Sequence, residues 1–162
     1  MENNDKMVDH PGHYEKGDGH PECIELLTIL TKGYDGIAAG CVMQTKYAYR
    51  AGSKGDASLT IEQKIIQDFK KLKWYLVYFR KSAVECAKTF PNLPIGWNCS
   101  VHKDKNEIEM VVREFIYDKG DLIKDDLACL IRTIAEMKTF SDVDFALEKV
   151  DSIISKLEDE IA

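Results

Sequence analysis

The sequence lacks the features that identify several large protein classes. It contains no G-x-x-x-x-G-K-[ST] loop and no G-x-G-x-x-G fingerprint, so phosphoryl transfer on a P-loop and Rossmann-type cofactor binding are excluded. Its five cysteines form no C-x-x-C pair, which argues against a disulfide framework and favours a reducing compartment. No apolar run approaches the ~18 residues of a transmembrane helix, and no apolar signal core stands at the start. A cytoplasmic location is therefore expected.

The sequence also lacks a broad excess of positive charge. Residues 1–90 carry 13 Lys and Arg against 12 Asp and Glu, whereas residues 91–162 carry 9 against 16. Duplex nucleic acid requires a basic face, so it is not an expected partner. A site for an anion should lie in the first part. The acidic residues of the second part are interpreted as solvated helix faces rather than a magnesium cluster; they include Glu107, Glu109, Glu114, Asp121, Asp125 and Asp126.

Hydrophobic periodicity, which is present throughout most of the chain, predicts an all-α protein. The expectation is a compact helical domain of about five to six helices, with a long third helix that begins at a Thr60/Gln63 capping box and a C-terminal helical hairpin. Residues 1–90 are predicted to form the ligand-binding part, and residues 91–162 an acidic helical part packed on it. The predicted helices cover about 21–30, 36–51, 60–87, 107–117, 121–139 and 141–160, with a long connection over 90–104.

The stretch KYAYRAGSKGD, residues 46–56, gathers positive charge around two glycines. Lys46 and Arg50 are four residues apart and so share a helix face, and Lys54 follows a predicted helix stop at Gly52. Arginine binds phosphate oxygens through two hydrogen bonds, lysine acts as a point charge, and glycine allows close approach of the backbone. The pattern predicts an anion site, and a solvated, glycine-capped helix end is the alternative.

A second group of chemically active residues lies on the long predicted helix. Asp68, Lys71 and Tyr75 recur at helical spacing on a face distinct from the apolar stripe. Asp68 is expected to anchor Lys71 or Arg50, while Trp74 and Tyr75 offer rings on which a base could stack. Core aromatics with a surface ion pair are the alternative.

The polar N-terminal segment contains the pattern H-x-x-H at His10 and His13, followed by Tyr14. A zinc site would need further Cys or His ligands at suitable spacing, and the loop offers none. Hydrogen bonding to a phosphate or a ribose is therefore the preferred interpretation, with a structural His-Pro turn as the alternative.

Four motifs together resemble a small phage-encoded family in their order and internal spacing: HPGHY (10–14), ECIELL (22–27), KYAYRAGSKG (46–55) and QDFKKLKWYL (67–76). The resemblance covers about residues 8–80. A coliphage member of that family is a nucleoside monophosphate kinase without a P-loop, so the resemblance implies a nucleotide ligand. This chain has Val42 and Met43 where the family has Gly-Asn, and Phe69 where it has Leu. The matching positions assign phosphate contacts to Lys46, Arg50, Lys54, Lys71, His10 and His13, base or ribose contacts to Tyr14, Tyr47, Trp74 and Tyr75, and supporting carboxylates to Glu22 and Asp68.

The sequence therefore favours a phage-type protein that binds a phosphorylated nucleotide, with a host immune signal among the candidates, and that holds it without turnover. A kinase that uses Mg²⁺ and ATP is the alternative, and a helical scaffold for a protein partner is the second. The binding function requires no metal or other cofactor, and no membrane partner is expected. The protein is predicted to be a homo-oligomer in the cytoplasm, that of the host cell if phage-encoded. Replacing Arg50 is expected to weaken binding but to leave the stability of the fold almost unchanged.

Overall fold

Six helical stretches make up most of the part of the chain that the structure describes. The structure is a computed structural model that describes residues 12–34, 36–92 and 99–162. The all-α prediction is confirmed, and the long third helix and the C-terminal hairpin are present. A 3₁₀ turn at Gly12–Tyr14 precedes the stretches, which are Cys23–Thr31 (α1), 36–50 (α2), Ile61–Thr89 (α3), Lys105–Ile116 (α4), Asp121–Ala135 (α5) and Phe140–Ile161 (α6).

Capping boxes fix the beginnings of the two longest helices. At the start of α3, the backbone N–H of Gln63 donates to Thr60 Oγ1 at 3.2 Å, and the backbone N–H of Thr60 donates to Gln63 Oε1 at 2.9 Å. The sequence predicts this capping box. At the start of α6, Thr139 and Asp142 form a second box. Because residues 136–139 supply the turn and this cap, α5 ends at Ala135, earlier than the predicted limit of 139.

Stretch α2 consists of three pieces rather than one continuous α-helix. It runs through Gly36–Val42, a 3₁₀ turn at Met43–Thr45, and Lys46–Arg50. The buried Thr45 hydroxyl donates to the Val42 carbonyl at 2.8 Å and so stabilises the tighter turn. Just beyond the end of α2, Gly52 has a φ of 89°, a backbone conformation that glycine adopts without strain.

A single hydrophobic core contains residues from both halves of the chain. Helix α6 packs along α3 and α5, α4 packs against α5 and α1, and both ends of α2 pack on α3. The core thereby places the C-terminal piece of α2 beside the first half of α3. No helix within the described ranges is long and apolar enough to cross a membrane.

Some predictions concern residues that the structure does not describe. These are the candidate ligand contact His10 and positions 93–98 of the connection between α3 and α4.

Candidate functional site

The ring of Tyr47, on the last piece of α2, lies at the centre of the predicted cationic residues. The guanidinium carbon of Arg50 is 4.7 Å from the ring centroid, Lys46 Nζ is 5.5 Å from it, and Lys71 Nζ is 5.9 Å from it. Two of these cations come from α2 and the third comes from α3. A cation above a tyrosine face is stabilised by about 0.5–2 kcal/mol, depending on its desolvation. The structure thus collects the three predicted cations around one aromatic ring.

Asp68, on α3, connects two of these cations. Its Oδ1 atom lies 3.2 Å from Arg50 Nη2 and 3.3 Å from Lys71 Nζ. The side chains of Asp68 and Arg50 are 2% and 8% exposed, whereas that of Lys71 is 50% exposed. Since three cations surround one ring and one carboxylate contacts two of them, the group keeps a positive excess that suits an anionic ligand.

Arg50 is also held by a tyrosine from the N-terminal 3₁₀ turn. Its Nη1 donates to the Tyr14 hydroxyl at 3.3 Å, and its guanidinium carbon is 5.8 Å from the Tyr14 ring centroid. Tyr14 and Tyr47 therefore both contact the same guanidinium group. This fixes Arg50 in place through a contact with Tyr14 that the sequence does not predict.

The aromatic side chains form a series that continues along α3. The Tyr47 and Tyr75 rings stack at 5.8 Å with 12° between their planes, and Trp74 meets Tyr75 edge-on at 5.0 Å. Trp74 also stacks on Tyr78 at 5.2 Å, and it is 59% exposed. The series leads from the cations to an exposed indole, which is a surface of the kind on which bases stack. We call Tyr14, Lys46, Tyr47, Arg50, Asp68, Lys71 and Tyr75 the Tyr47 cluster.

His13 lies beside this cluster, where burial and the neighbouring cations favour the neutral imidazole. Burial lowers the pKa of His13 from its ordinary value of 6.5, and the charges of Lys54 and Arg50 lower it further, while Asp68 opposes the change. The exposed Lys54 is therefore close enough for its charge to affect the pKa of His13. A neutral imidazole offers one donor and one acceptor.

Glu22, predicted as a supporting carboxylate of the site, lies at the start of α1. It is the N-cap residue of α1, and its backbone amide donates to Glu25 Oε2 at 2.6 Å. It also lines a surface depression formed by residues 15–20, with a volume of about 430 Å³.

Several acidic residues of the second half pair with basic side chains. Within the described ranges, no group of three or more His, Cys, Asp or Glu side chains is placed to hold a metal ion. The pairs include Glu107 with Lys32, Glu109 with Arg132, Glu114 with His20, Asp121 with Lys124, and Asp126 with Lys156.

Two buried lysines on the other side of α2 were not anticipated from the sequence. Lys119 Nζ donates to the Tyr49 carbonyl at 3.0 Å and pairs with Asp118 at 2.7 Å. Lys16 Nζ lies 4.6 Å from the Tyr49 ring centroid and donates to the Glu114 carbonyl, and burial lowers the pKa of Lys16. Lysines in polar segments are usually exposed, so no sequence signal marks these two. They tie α2 and the N-terminal segment to the end of α4.

Comparison of the chain with models of protein families, with curated protein sequences and with solved structures gives no match in any of the three.

Proposed function

We propose that the protein binds a phosphorylated nucleotide at the Tyr47 cluster and holds it without turnover. The observation that carries this proposal is the meeting of Lys46, Arg50 and Lys71 around the Tyr47 ring, each within 6 Å of its centroid. A hydrogen bond between a cationic side chain and a phosphate is about twice as strong as a neutral one. The positive excess of the cluster therefore supports an anionic ligand.

The aromatic series supports a nucleotide over a simple anion. A phosphate at Lys46 and Lys71 would place the rest of the ligand along Tyr75 toward Trp74, which stacks on one neighbour and is 59% exposed. Stacking of a base on such a ring contributes about 1–3 kcal/mol. The arrangement thus offers one set of contacts for the phosphate and another for the base.

Binding without turnover is supported by the position of Asp68. A catalytic base or a magnesium ligand needs an accessible carboxylate, and Asp68 is the carboxylate that contacts the cations of the cluster. Its side chain is 2% exposed, and one oxygen already pairs with Arg50 and Lys71. In this conformation Asp68 organises the cations and is not placed to act as a catalytic base or a magnesium ligand. A host signalling nucleotide is a ligand that this chemistry would suit.

The test is a comparison of two neighbouring lysines. Lys71 belongs to the cluster, whereas Lys70 pairs with Glu158 on α6 at 2.7 Å, so Lys71→Ala and Lys70→Ala remove the same charge from adjacent positions. We expect Lys71→Ala to weaken nucleotide binding roughly 10- to 150-fold, equivalent to about 1.5–3 kcal/mol, and Lys70→Ala to change it less than about threefold.

Titration calorimetry with mononucleotides, cyclic dinucleotides and ADP-ribose provides the measurement. Equal losses in the two variants would mean that net charge, not this cluster, governs binding, and the proposal would be wrong. Chromatography of ligand released by denaturation then reports turnover: an unchanged nucleotide agrees with sequestration, whereas transfer of a phosphoryl group from ATP would favour a kinase.

A further inference from the structure

Two buried polar atoms of the Tyr47 cluster have no hydrogen-bond partner among the described residues. They are Nε of Arg50 and Oδ2 of Asp68. Both side chains are more than nine-tenths buried, and buried polar groups in folded proteins are almost always paired. One atom is a donor and the other is an acceptor, and they belong to side chains that contact each other.

The geometry of the Arg50–Asp68 pair shows that the two atoms are not simply partners of each other. An arginine and a carboxylate that serve only to stabilise a fold commonly pair through two parallel hydrogen bonds. Here a single hydrogen bond joins the two side chains, from Nη2 of Arg50 to Oδ1 of Asp68 at 3.2 Å. Nη1 is occupied by Tyr14, and Oδ1 is shared with Lys71. The pair therefore leaves one donor, Arg50 Nε, and one acceptor, Asp68 Oδ2, without a partner among the described residues.

The chemistry of these two atoms restricts the group that can satisfy both. A phosphate at neutral pH offers acceptors only, so it can pair with Arg50 Nε but not with Asp68 Oδ2. A hydroxyl group both donates and accepts, and it can therefore donate to the carboxylate while it accepts from the guanidinium group. The sugar of a nucleotide carries such hydroxyls close to its phosphate.

We propose that Asp68 and Arg50 recognise a ribose hydroxyl of the bound nucleotide, so that the site selects ribonucleotides over deoxyribonucleotides. This inference rests on the proposed nucleotide-binding function. Lys46 and Lys71 hold the phosphate, the aromatic series accepts the base, and Asp68, which contacts Lys71 at 3.3 Å, binds the sugar hydroxyl. Lys71, the half-exposed partner of Asp68, links the position of the phosphate to the carboxylate.

The experiment measures dissociation constants by titration calorimetry for matched ligands. The probes are AMP, GMP, cyclic di-AMP and cyclic di-GMP, each beside its 2′-deoxy form, with the 3′-deoxy forms of the two mononucleotides. A buried polar group left unpaired lowers affinity appreciably, so the wild-type protein should bind at least one ribose form roughly 5- to 150-fold more tightly than the form that lacks the hydroxyl.

Two variants assign the effect to its residue. Asp68→Asn should reduce the ratio between ribose and deoxyribose forms to about twofold or less, because an amide that keeps its oxygen toward Arg50 and Lys71 places an NH2 donor where Oδ2 accepts. Lys71→Ala should weaken both forms by similar factors and leave the ratio unchanged. Melting curves confirm that each variant is folded, and the wild-type ratio remains decisive if Asp68→Asn does not fold.

The outcomes separate the inference from the function on which it rests. If nucleotides bind but ribose and deoxyribose forms bind equally, the hydroxyl inference is wrong and the proposed function stands. If the ratio persists in a folded Asp68→Asn protein, another residue recognises the sugar. If affinity depends on the base but not on the sugar, Asp68 recognises a base edge instead. If none of the probes binds, the proposed function fails together with the inference.

Discussion

Replacement of Arg50 by alanine should destabilise the protein substantially. The side chains of Arg50 and Asp68 are 8% and 2% exposed, and Nη2 and Oδ1 are 3.2 Å apart. Removing one member of a buried pair leaves an uncompensated charge and typically costs 3–5 kcal/mol. Lys71 stays beside Asp68 but is half exposed, so it offsets less than about 1 kcal/mol. We expect a loss near 3 kcal/mol, contrary to the expectation from sequence that the fold would be almost unaffected.

Urea unfolding followed by circular dichroism measures this loss. With a slope of about 2 kcal/mol per molar urea, typical for a small protein, the midpoint should fall by roughly 1.5 M. Lys71→Ala is the matched control and should shift the free energy of unfolding by less than about 1 kcal/mol. The double variant Arg50→Met/Asp68→Asn should be more stable than the sum of the single losses predicts, by about 0.5–3 kcal/mol. An unchanged midpoint for Arg50→Ala would refute the reasoning, since the pair would then contribute nothing to the fold.

Two further predictions concern binding. Burial and nearby cations lower the pKa of His13, so an anionic ligand should raise that pKa and bind with proton uptake. In calorimetric titrations, the ratio of wild-type affinity to that of His13→Gln should therefore increase as the pH falls from about 7.5 to 5.5. Identical pH profiles for the two proteins would contradict this. Trp74→Ala should weaken nucleotide binding by about 1–3 kcal/mol with little dependence on salt, whereas Phe90→Ala, which removes another exposed aromatic residue just past the end of α3, should not. Equal effects would show that Trp74 does not stack on the base.

The helices were predictable because their signals are local. The Thr60/Gln63 box marks the start of α3 within a few residues of chain, and Gly52 marks the end of α2 through its φ of 89°. The predicted C-terminal end of α5, at residue 139, is wrong. Thr139 is compatible with a helix interior, but in the structure it caps α6. Capping depends on the conformation that a residue adopts, which periodicity alone does not specify.

The contacts of the candidate site were only partly predictable. Helical spacing relates residues on one helix, and it placed Lys46 near Arg50 and Asp68 near Lys71. It does not report burial, which depends on how α2 packs on α3, so the sequence does not reveal that Arg50 is buried and contributes to the stability of the fold. The contact between Arg50 and Tyr14 joins residues 36 positions apart, and it follows from tertiary structure alone.

The 3₁₀ turn at Met43–Thr45 determines the direction in which the cluster faces. Each residue of a 3₁₀ helix advances about 120° around the axis, compared with about 100° in an α-helix, so three such residues rotate everything after them by roughly 60°. The first piece of α2 buries Ala38, Cys41 and Val42. In a regular α-helix the buried face would continue in the same direction along the following residues. The short turn therefore sets a fixed rotation between two faces of α2. One is the apolar face of the first piece, and the other is the side of the last piece that carries Lys46, Tyr47 and Arg50.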